Sequence, residues 1–153
     1  MTLAKALANG VPMGAMLARE SVAKAFTAGS HASTFGGTPI VSAASQVVLK
    51  TVANKEFLKN CRDKGTYFKE KLQQLKKKYS VINEVRGLGL LLGVKLEIAG
   101  HSIVKKCLEN GFLINCIQEN ILRFAPPLII TDSEIDSLIE CLDQVFQEIE
   151  YSK

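Results

Sequence analysis

A lysine at position 5 stands among small and apolar residues, in the run Met1-Thr-Leu-Ala-Lys-Ala-Leu-Ala-Asn-Gly-Val-Pro-Met-Gly-Ala15. An ε-amine in apolar surroundings loses hydration, which favours its neutral form, and a neutral amine attacks aldehydes and carries protons. The bland alternative is a lysine whose stem lies on apolar surface while its head reaches water and does no chemistry. A second group lies in Gly29-Ser-His-Ala-Ser-Thr-Phe-Gly-Gly-Thr-Pro39. Its hydroxyls, among them Ser33 and Thr34, its glycines and the helix start at Thr38-Pro39 suit a phosphate, although the same residue types mark any loop. Arg86 and Arg123 fall in apolar stretches that read as strands, and a guanidinium there needs an anion from the protein or from a ligand. His31 in the loop and His101 at a helix start read as exposed and carry no acid-base assignment.

The elements that must position these groups follow from spacing. Residues 1–3 and 14–18 read as two short buried strands joined through Gly10 and Pro12, with Lys5 held at the exit of the first. Residues 20–28 read as a short helix ended by Gly29. The stretch Ile40–Val52 is apolar nearly all round, which predicts a helix buried between two domains. Asn54 is placed to cap the next helix, whose apolar stripe is Phe57, Leu58, Cys61, Phe68, Leu72, Leu75 and Tyr79, with lysines opposite. Strands are expected over 82–86 and 90–96, joined through Gly87 and Gly89. A helix over 102–109 follows, with Ile103, Val104, Cys107 and Leu108 inward and Gly111 as its C-terminal cap. A strand pair over 112–115 and 121–124 ends at Pro126-Pro127. Thr131-Asp-Ser-Glu134 is a capping box opening a last helix with Ile135, Leu138, Ile139, Leu142, Val145, Phe146 and Ile149 inward. Strands alternating with covering helices predict an α/β sandwich from about residue 54.

Composition narrows the class. With 153 residues, 47% hydrophobic and 22% charged, the chain reads as globular, and no apolar stretch reaches the length of a membrane span. The net charge of +4 is modest and concentrates at Lys76-Lys77-Lys78, where cations suit a helix C-terminus, so nucleic acid is not the expected partner. Cys61, Cys107, Cys116 and Cys141 lack Cys-x-x-Cys spacing and read as reduced, buried thiols of a cytoplasmic protein, with no metal site expected. No secretory signal follows Met1.

Four blocks in order, Lys5 with the turn Gly10-Val-Pro-Met-Gly14, Gly29–Pro39, Val85-Arg-Gly-Leu-Gly-Leu-Leu-Leu-Gly93 and Leu122-Arg-Phe-Ala-Pro-Pro-Leu-Ile-Ile-Thr131, resemble the class III pyridoxal-phosphate aminotransferases. The likeness runs from residue 1 to about Glu150. It departs at Ala32, where the family often has Gly, and at Thr38, where it often has Asn. The resemblance implies an α/β chain that is the C-terminal part of a fold-type I transferase. Residues 1–53 would be the end of the large cofactor-binding domain with its interdomain helix, and residues 54–153 the small C-terminal α/β domain. It implies that Lys5 holds pyridoxal 5'-phosphate covalently and shuttles the reaction's proton. Thr34 would bind the cofactor phosphate of a neighbouring subunit in a homodimer, Ser33 would touch substrate, and Arg123 would face the active site and meet substrate or pair with an active-site glutamate; Arg86 would mainly shape a strand turn. Residues 111–116 and 122–128 look most like the acetylornithine branch, which moves an amino group from N-acetylornithine to 2-oxoglutarate in arginine biosynthesis; the ornithine and 4-aminobutyrate branches are the alternatives. The family's ring-stacking aromatic, its ring-nitrogen aspartate and a further phosphate-binding turn would precede Met1. The chain alone is therefore expected not to catalyse, and a non-catalytic fragment or decayed copy is the competing reading. A plain interaction domain would make four ordered matches coincidence.

Overall fold

Asn54 begins the longest helix as its sequence predicts: its Oδ1 accepts hydrogen bonds from the backbone N–H of Glu56 at 2.9 Å and of Phe57 at 3.1 Å. In a computed structural model describing residues 1–151, the chain forms two compact units, Met1–Leu58 and Lys59 onward.

The first unit holds β1 (Thr2–Leu3), a 3-10 turn (Lys5–Ala8), β2 (Ala15–Met16), α1 (Glu20–Ala23) and α2 (Pro39–Val52). Strands β1 and β2 pair antiparallel, with Thr2 opposite Met16 and Leu3 opposite Ala15. Pro39 takes the first helical position of α2 and Thr38 the cap position, although the Thr38 side chain makes no capping bond. Leu7 and Ala8 of the 3-10 turn are buried and the turn packs on α2, where Ser45 is the buried residue. Two expectations are corrected. The strands are not buried, and α2 is not enclosed: Ile40 is 78% exposed and Val47 66%. Within its own unit the turn Lys5–Ala8 packs on α2 and leaves those apolar residues exposed. Helix α1 stops at Ala23, well short of residue 28, because it buries nothing and its cap residue Arg19 offers no capping bond.

The second unit holds most of α3 (Lys55–Lys78), β3 (Ile82–Leu88), β4 (Leu91–Leu96), α4 (His101–Glu109), β5 (Asn115–Ile117), β6 (Ile121–Phe124) and α5 (Asp132–Tyr151). The four strands form an antiparallel sheet in the order β3-β4-β6-β5. Helices cover one face. Phe68, Leu72, Leu75 and Tyr79 of α3, Ile103 and Cys107 of α4, and Ile135, Leu142, Val145 and Phe146 of α5 join Val85, Leu92, Val94, Leu96, Leu122 and Phe124 in a single core. Phe68 meets Phe124 edge-on with ring centres 5.3 Å apart. At the sheet's hairpin, helix and turn come into backbone contact: a Cβ on Gly65 would stand 2.4 Å from the carbonyl carbon and oxygen of Gly89. Only glycine at position 65 permits that approach.

Two further helix ends, the start of α5 and the end of α4, close as expected. Thr131 N–H donates to Glu134 Oε2 at 2.8 Å while Glu134 N–H donates to Thr131 Oγ1 at 3.3 Å, a reciprocal box. Gly111 adopts φ +86°, and the N–H of Phe112 returns to the carbonyl of Cys107 at 2.8 Å. That bond explains why β5 starts at Asn115 rather than at 112: the Phe112 N–H is already engaged in ending the helix. Leu108 points outward at 55% exposure, and Cys61 and Cys116 are only half-buried, so those inward assignments are corrected. The lysines of α3 also differ from expectation. Lys64, Lys71 and Lys78 recur every seven residues and reach Asp132, Asp136 and Asp143 of α5 at 2.7, 2.9 and 2.7 Å.

Candidate active site

Lys5 is the first residue of the 3-10 turn rather than the last of a strand, and its backbone has φ +59°. The left-handed region costs a non-glycine residue about 1–3 kcal/mol, and such strain persists where the surroundings fix it. Here the fixing contacts are Leu7 and Ala8, buried directly downstream, and a second left-handed residue, Asn9, that ends the turn before Gly10 at φ +104°. The side chain of Lys5 is exposed and has no hydrogen-bond or ion-pair partner among the described residues. The desolvation expected from sequence is therefore not provided by this chain's own residues.

Ser33 and Thr34 belong to the loop that enters α2, and both are exposed. The loop bends tightly at two glycines. A Cβ on Gly36 would lie 3.0 Å from Ser33 Oγ, and Gly37 has φ +71°. Because Thr38 leaves the first N–H groups of α2 without a side-chain cap, the helix presents open donors and the positive end of its dipole just after the Thr34 hydroxyl. Lys5 and this loop share a scaffold, since the turn that begins with Lys5 packs on the helix that the loop enters.

Arg123 belongs to the second unit. It alternates with the buried Leu122 and Phe124, so its side chain stands on the opposite face of β6, exposed and without an ion-pair partner among the described residues. It also lines a cavity of about 730 Å³ whose walls are mainly apolar, among them Phe68, Phe112, Ile114, Phe124, Ile129 and Leu138. Glu134 lines the same cavity but is already engaged. The backbone N–H and then the hydroxyl of Thr131 stabilise its carboxylate and hold its pKa below the ordinary value. Arg86, on the same face as Arg123, meets Glu84 at 3.3 Å. That partner was available to sequence reasoning, because residues two apart in a strand share a face. The left-handed backbone at Lys5 carries no such signal. Among the described residues no cluster of three or more His, Cys, Asp or Glu could hold a metal ion, and no helix is long and apolar enough to cross a membrane.

Comparison with known proteins bears on the same residues. The family described as Aminotransferase class-III matches residues 1–146. The acetylornithine aminotransferase of Methanocaldococcus jannaschii is 50% identical over 151 residues, covering 97% of this chain and 37% of that protein. That of Caldanaerobacter subterraneus subsp. tengcongensis is 48% identical over 152 residues, 99% of this chain and 38% of its own length. Among solved structures, the ornithine aminotransferase from Toxoplasma gondii ME49 superposes with a TM-score of 0.89 at 32% identity, over 99% of this chain and 37% of that one. The acetylornithine aminotransferase from Elizabethkingia anophelis does so with a TM-score of 0.83 at 30% identity, over 96% and 40%. The chain spans little more than a third of the length of the relatives it matches. Sequence and fold agree along nearly all of these residues, and the chain belongs to the class III aminotransferases.

Proposed function

We propose that this chain is the C-terminal part of an acetylornithine aminotransferase, which transfers the amino group of N-acetylornithine to 2-oxoglutarate in the cytoplasm as a step of arginine biosynthesis. The 50% identity to an acetylornithine aminotransferase across 97% of the chain carries this reading. In it, residues 1–53 are the end of the large cofactor-binding domain and residues 54–153 the small domain. The exposed apolar residues of the first unit, Met16, Phe35, Ile40 and Val47 among them, support further burial in a homodimer.

The donor set fits pyridoxal 5'-phosphate at its two ends. An unpartnered amine on strained backbone at Lys5 suits the aldehyde, and the Thr34 hydroxyl with the uncapped start of α2 suits the phosphate. When bound, the cofactor supplies an electrophilic carbon and an aromatic system that accepts electrons. Lys5 Nζ would be the amine that holds that carbon. When free, the same nitrogen would take the proton from the donor carbon that gives up its amino group and, in the return half of the transfer, deliver a proton to the 2-oxo acid carbon that receives it. Thr34 Oγ1 donates to the phosphate and fixes the cofactor's position. Arg123 receives a substrate carboxylate, and Ser33 contacts substrate from the loop.

The experiment is a steady-state assay of the parent protein with N-acetylornithine, ornithine and 4-aminobutyrate as donors and 2-oxoglutarate as acceptor. A kcat/KM highest for N-acetylornithine supports the proposal; a preference for ornithine supports the second reading, favoured by the ornithine aminotransferase among the structural neighbours. No turnover of any donor overturns both.

A further inference from the structure

Asparagine followed by glycine occurs twice in the chain, at Asn9-Gly10 and Asn110-Gly111. The pair has a chemistry of its own, because glycine has no Cβ to keep its peptide nitrogen away from the side-chain carbonyl before it. Once deprotonated, that nitrogen attacks Cγ of the asparagine; the new N–Cγ bond closes a five-membered succinimide and the side-chain nitrogen leaves as ammonia. Water then opens the ring at either carbonyl, giving aspartate or, with the main chain rerouted through the side chain, isoaspartate. The net change consumes one water, releases one ammonia and needs no oxidant or reductant. Both asparagines are exposed, so access of water does not separate them. Hydrogen bonding does. At the end of α4, Asn110 Nδ2 donates to Lys106 O at 2.8 Å, the Gly111 N–H donates to Leu108 O at 2.9 Å, and the Phe112 N–H beyond is tied to Cys107 O at 2.8 Å. The attacking nitrogen and the leaving amide are both engaged, and freeing them means unwinding the end of the helix. At the other pair, the Asn9 side chain and the Gly10 N–H have no hydrogen-bond partner among the described residues. A Cβ on Gly10 would meet nothing within 4 Å. Asn9 is left-handed at φ 49° and ψ 50°, and Gly10 follows at φ 104°. The attack needs rotation about the Asn9 Cα–C bond, and the backbone bond that spans the pair, from Val11 N–H to Ala8 O, is long at 3.3 Å.

We propose that Asn9 is a site of spontaneous deamidation and isomerisation, set in the turn that carries Lys5, and that Asn110 is kept intact by the cap of α4. Isoaspartate lengthens the main chain by one carbon between the Asn9 N–H, which closes the turn on Ala6 O at 3.0 Å, and Gly10. The left-handed close that follows Leu7 and Ala8 is then lost, and with it one of the features that hold Lys5 at φ +59°. This consequence rests on the reading of Lys5 as the cofactor lysine; the modification itself does not.

The test incubates the parent protein in mildly alkaline buffer, native and in urea, and follows both Asn-Gly peptides by mass spectrometry for the mass gain of amide-to-acid conversion, with isoaspartate separated from aspartate by chromatography. In urea neither pair is held by structure, and the two convert at similar rates. In the native protein Asn9 is expected to convert about tenfold faster than Asn110 or more, since Asn110 reacts only through local opening of the helix end. Asn9→Gln, whose longer side chain closes the larger ring slowly, abolishes conversion at the first pair and leaves Asn110 as in wild type. Equal native rates, or an Asn9 that stays intact in the native protein while it converts in urea, overturn the proposal. So does an excess of Asn9 over Asn110 that persists unchanged in urea, which assigns the difference to neighbouring residues rather than to the cap. Borohydride reduction with pyridoxal phosphate after incubation reads the consequence: the adduct on Lys5 falls in step with isoaspartate at Asn9. An undiminished adduct on protein carrying isoaspartate refutes the effect on the turn and leaves the modification standing, whereas no adduct on Lys5 in fresh protein refutes the reading of Lys5 alone.

Discussion

Gly65→Ala sets two physical rules against each other. In a solvent-exposed helix, alanine stabilises relative to glycine by about 1 kcal/mol, so propensity alone predicts a more stable protein. Position 65 is buried in α3 against the β3–β4 turn, and the new methyl would stand 2.4 Å from the carbonyl carbon and oxygen of Gly89 and 2.7 Å from its Cα. Carbon atoms in good contact are about 3.5–4.0 Å apart, so helix and turn must separate by about 1 Å. Neither contacting group is a flexible side-chain end that could swing aside. The separation also loosens Phe68, one turn along the helix, and Leu90, both buried in the core. Overpacking of this kind costs about 1–3 kcal/mol. With the weaker packing of Phe68 and Leu90 added, the net effect is a destabilisation of about 2 kcal/mol after the propensity gain. Urea unfolding followed by circular dichroism should show a midpoint lower by about 1 M, taking a slope of about 2 kcal/mol/M. Thr66→Ala, one residue on and exposed, should instead raise the midpoint slightly. A Gly65→Ala midpoint equal to or above wild type, at unchanged slope, would refute the close approach of α3 and the turn.

The remaining predictions concern charge and thiols. Asp136 is held below the ordinary 3.8 by hydrogen bonds from Lys71 and Tyr67. Burial pushes Asp143 upward, but hydrogen bonds from Lys78 and Tyr79 outweigh it and leave that carboxyl low too. With Glu134 also lowered from 4.5, the stability these groups contribute is complete above their ordinary values and is lost as pH falls through their lower folded values. Thermal melts should therefore fall steeply below about pH 4, and Asp136→Asn with Asp143→Asn should lower the neutral melting temperature while flattening that acid limb; an acid limb unchanged by the double substitution would count against the α3–α5 pairing. Burial, helped by the neighbouring Cys141, pushes the Cys107 thiol up to about 12 from 9.0. Both thiols are buried, so a thiol reagent at neutral pH should modify Cys61 and Cys116 in the folded protein and reach Cys107 and Cys141 only on unfolding. Rapid labelling of all four in the native state would contradict a core that encloses Cys107 and Cys141.

Features governed by local rules were legible in the sequence. Asn54, the Thr131–Glu134 box and Gly111 each satisfy helix-end groups within a few residues of themselves, and residue type and spacing suffice to find them. The stripe from Phe68 to Tyr79 and that of α5 follow the helical period directly. What depended on distant partners was less accessible. Hydrophobicity all round Ile40–Val52 signals burial, but the residues that would enclose it are not among those of its own unit. The heptad of Lys64, Lys71 and Lys78 is visible in the chain, yet its use as a clamp on α5 requires knowing that α3 and α5 are neighbours. Likewise, Arg86 and Arg123 share a row only because β4 sits between β3 and β6 with Gly93 in register. For the candidate site, the resemblance to the family singled out Lys5, Ser33, Thr34 and Arg123, where residue types alone left a solvated lysine and an ordinary loop open, and the left-handed backbone at Lys5 has no marker in the sequence.

The central claim is that Lys5 is the residue that holds the cofactor. Borohydride reduction of the parent protein with pyridoxal phosphate, followed by peptide mapping by mass spectrometry, addresses it directly, since reduction makes an amine-bound aldehyde permanent. The expected result is one stoichiometric adduct, on the peptide containing Lys5, absent from Lys5→Ala. A stoichiometric adduct on another lysine, such as Lys24 or Lys50, with the Lys5 peptide unmodified, would contradict the claim.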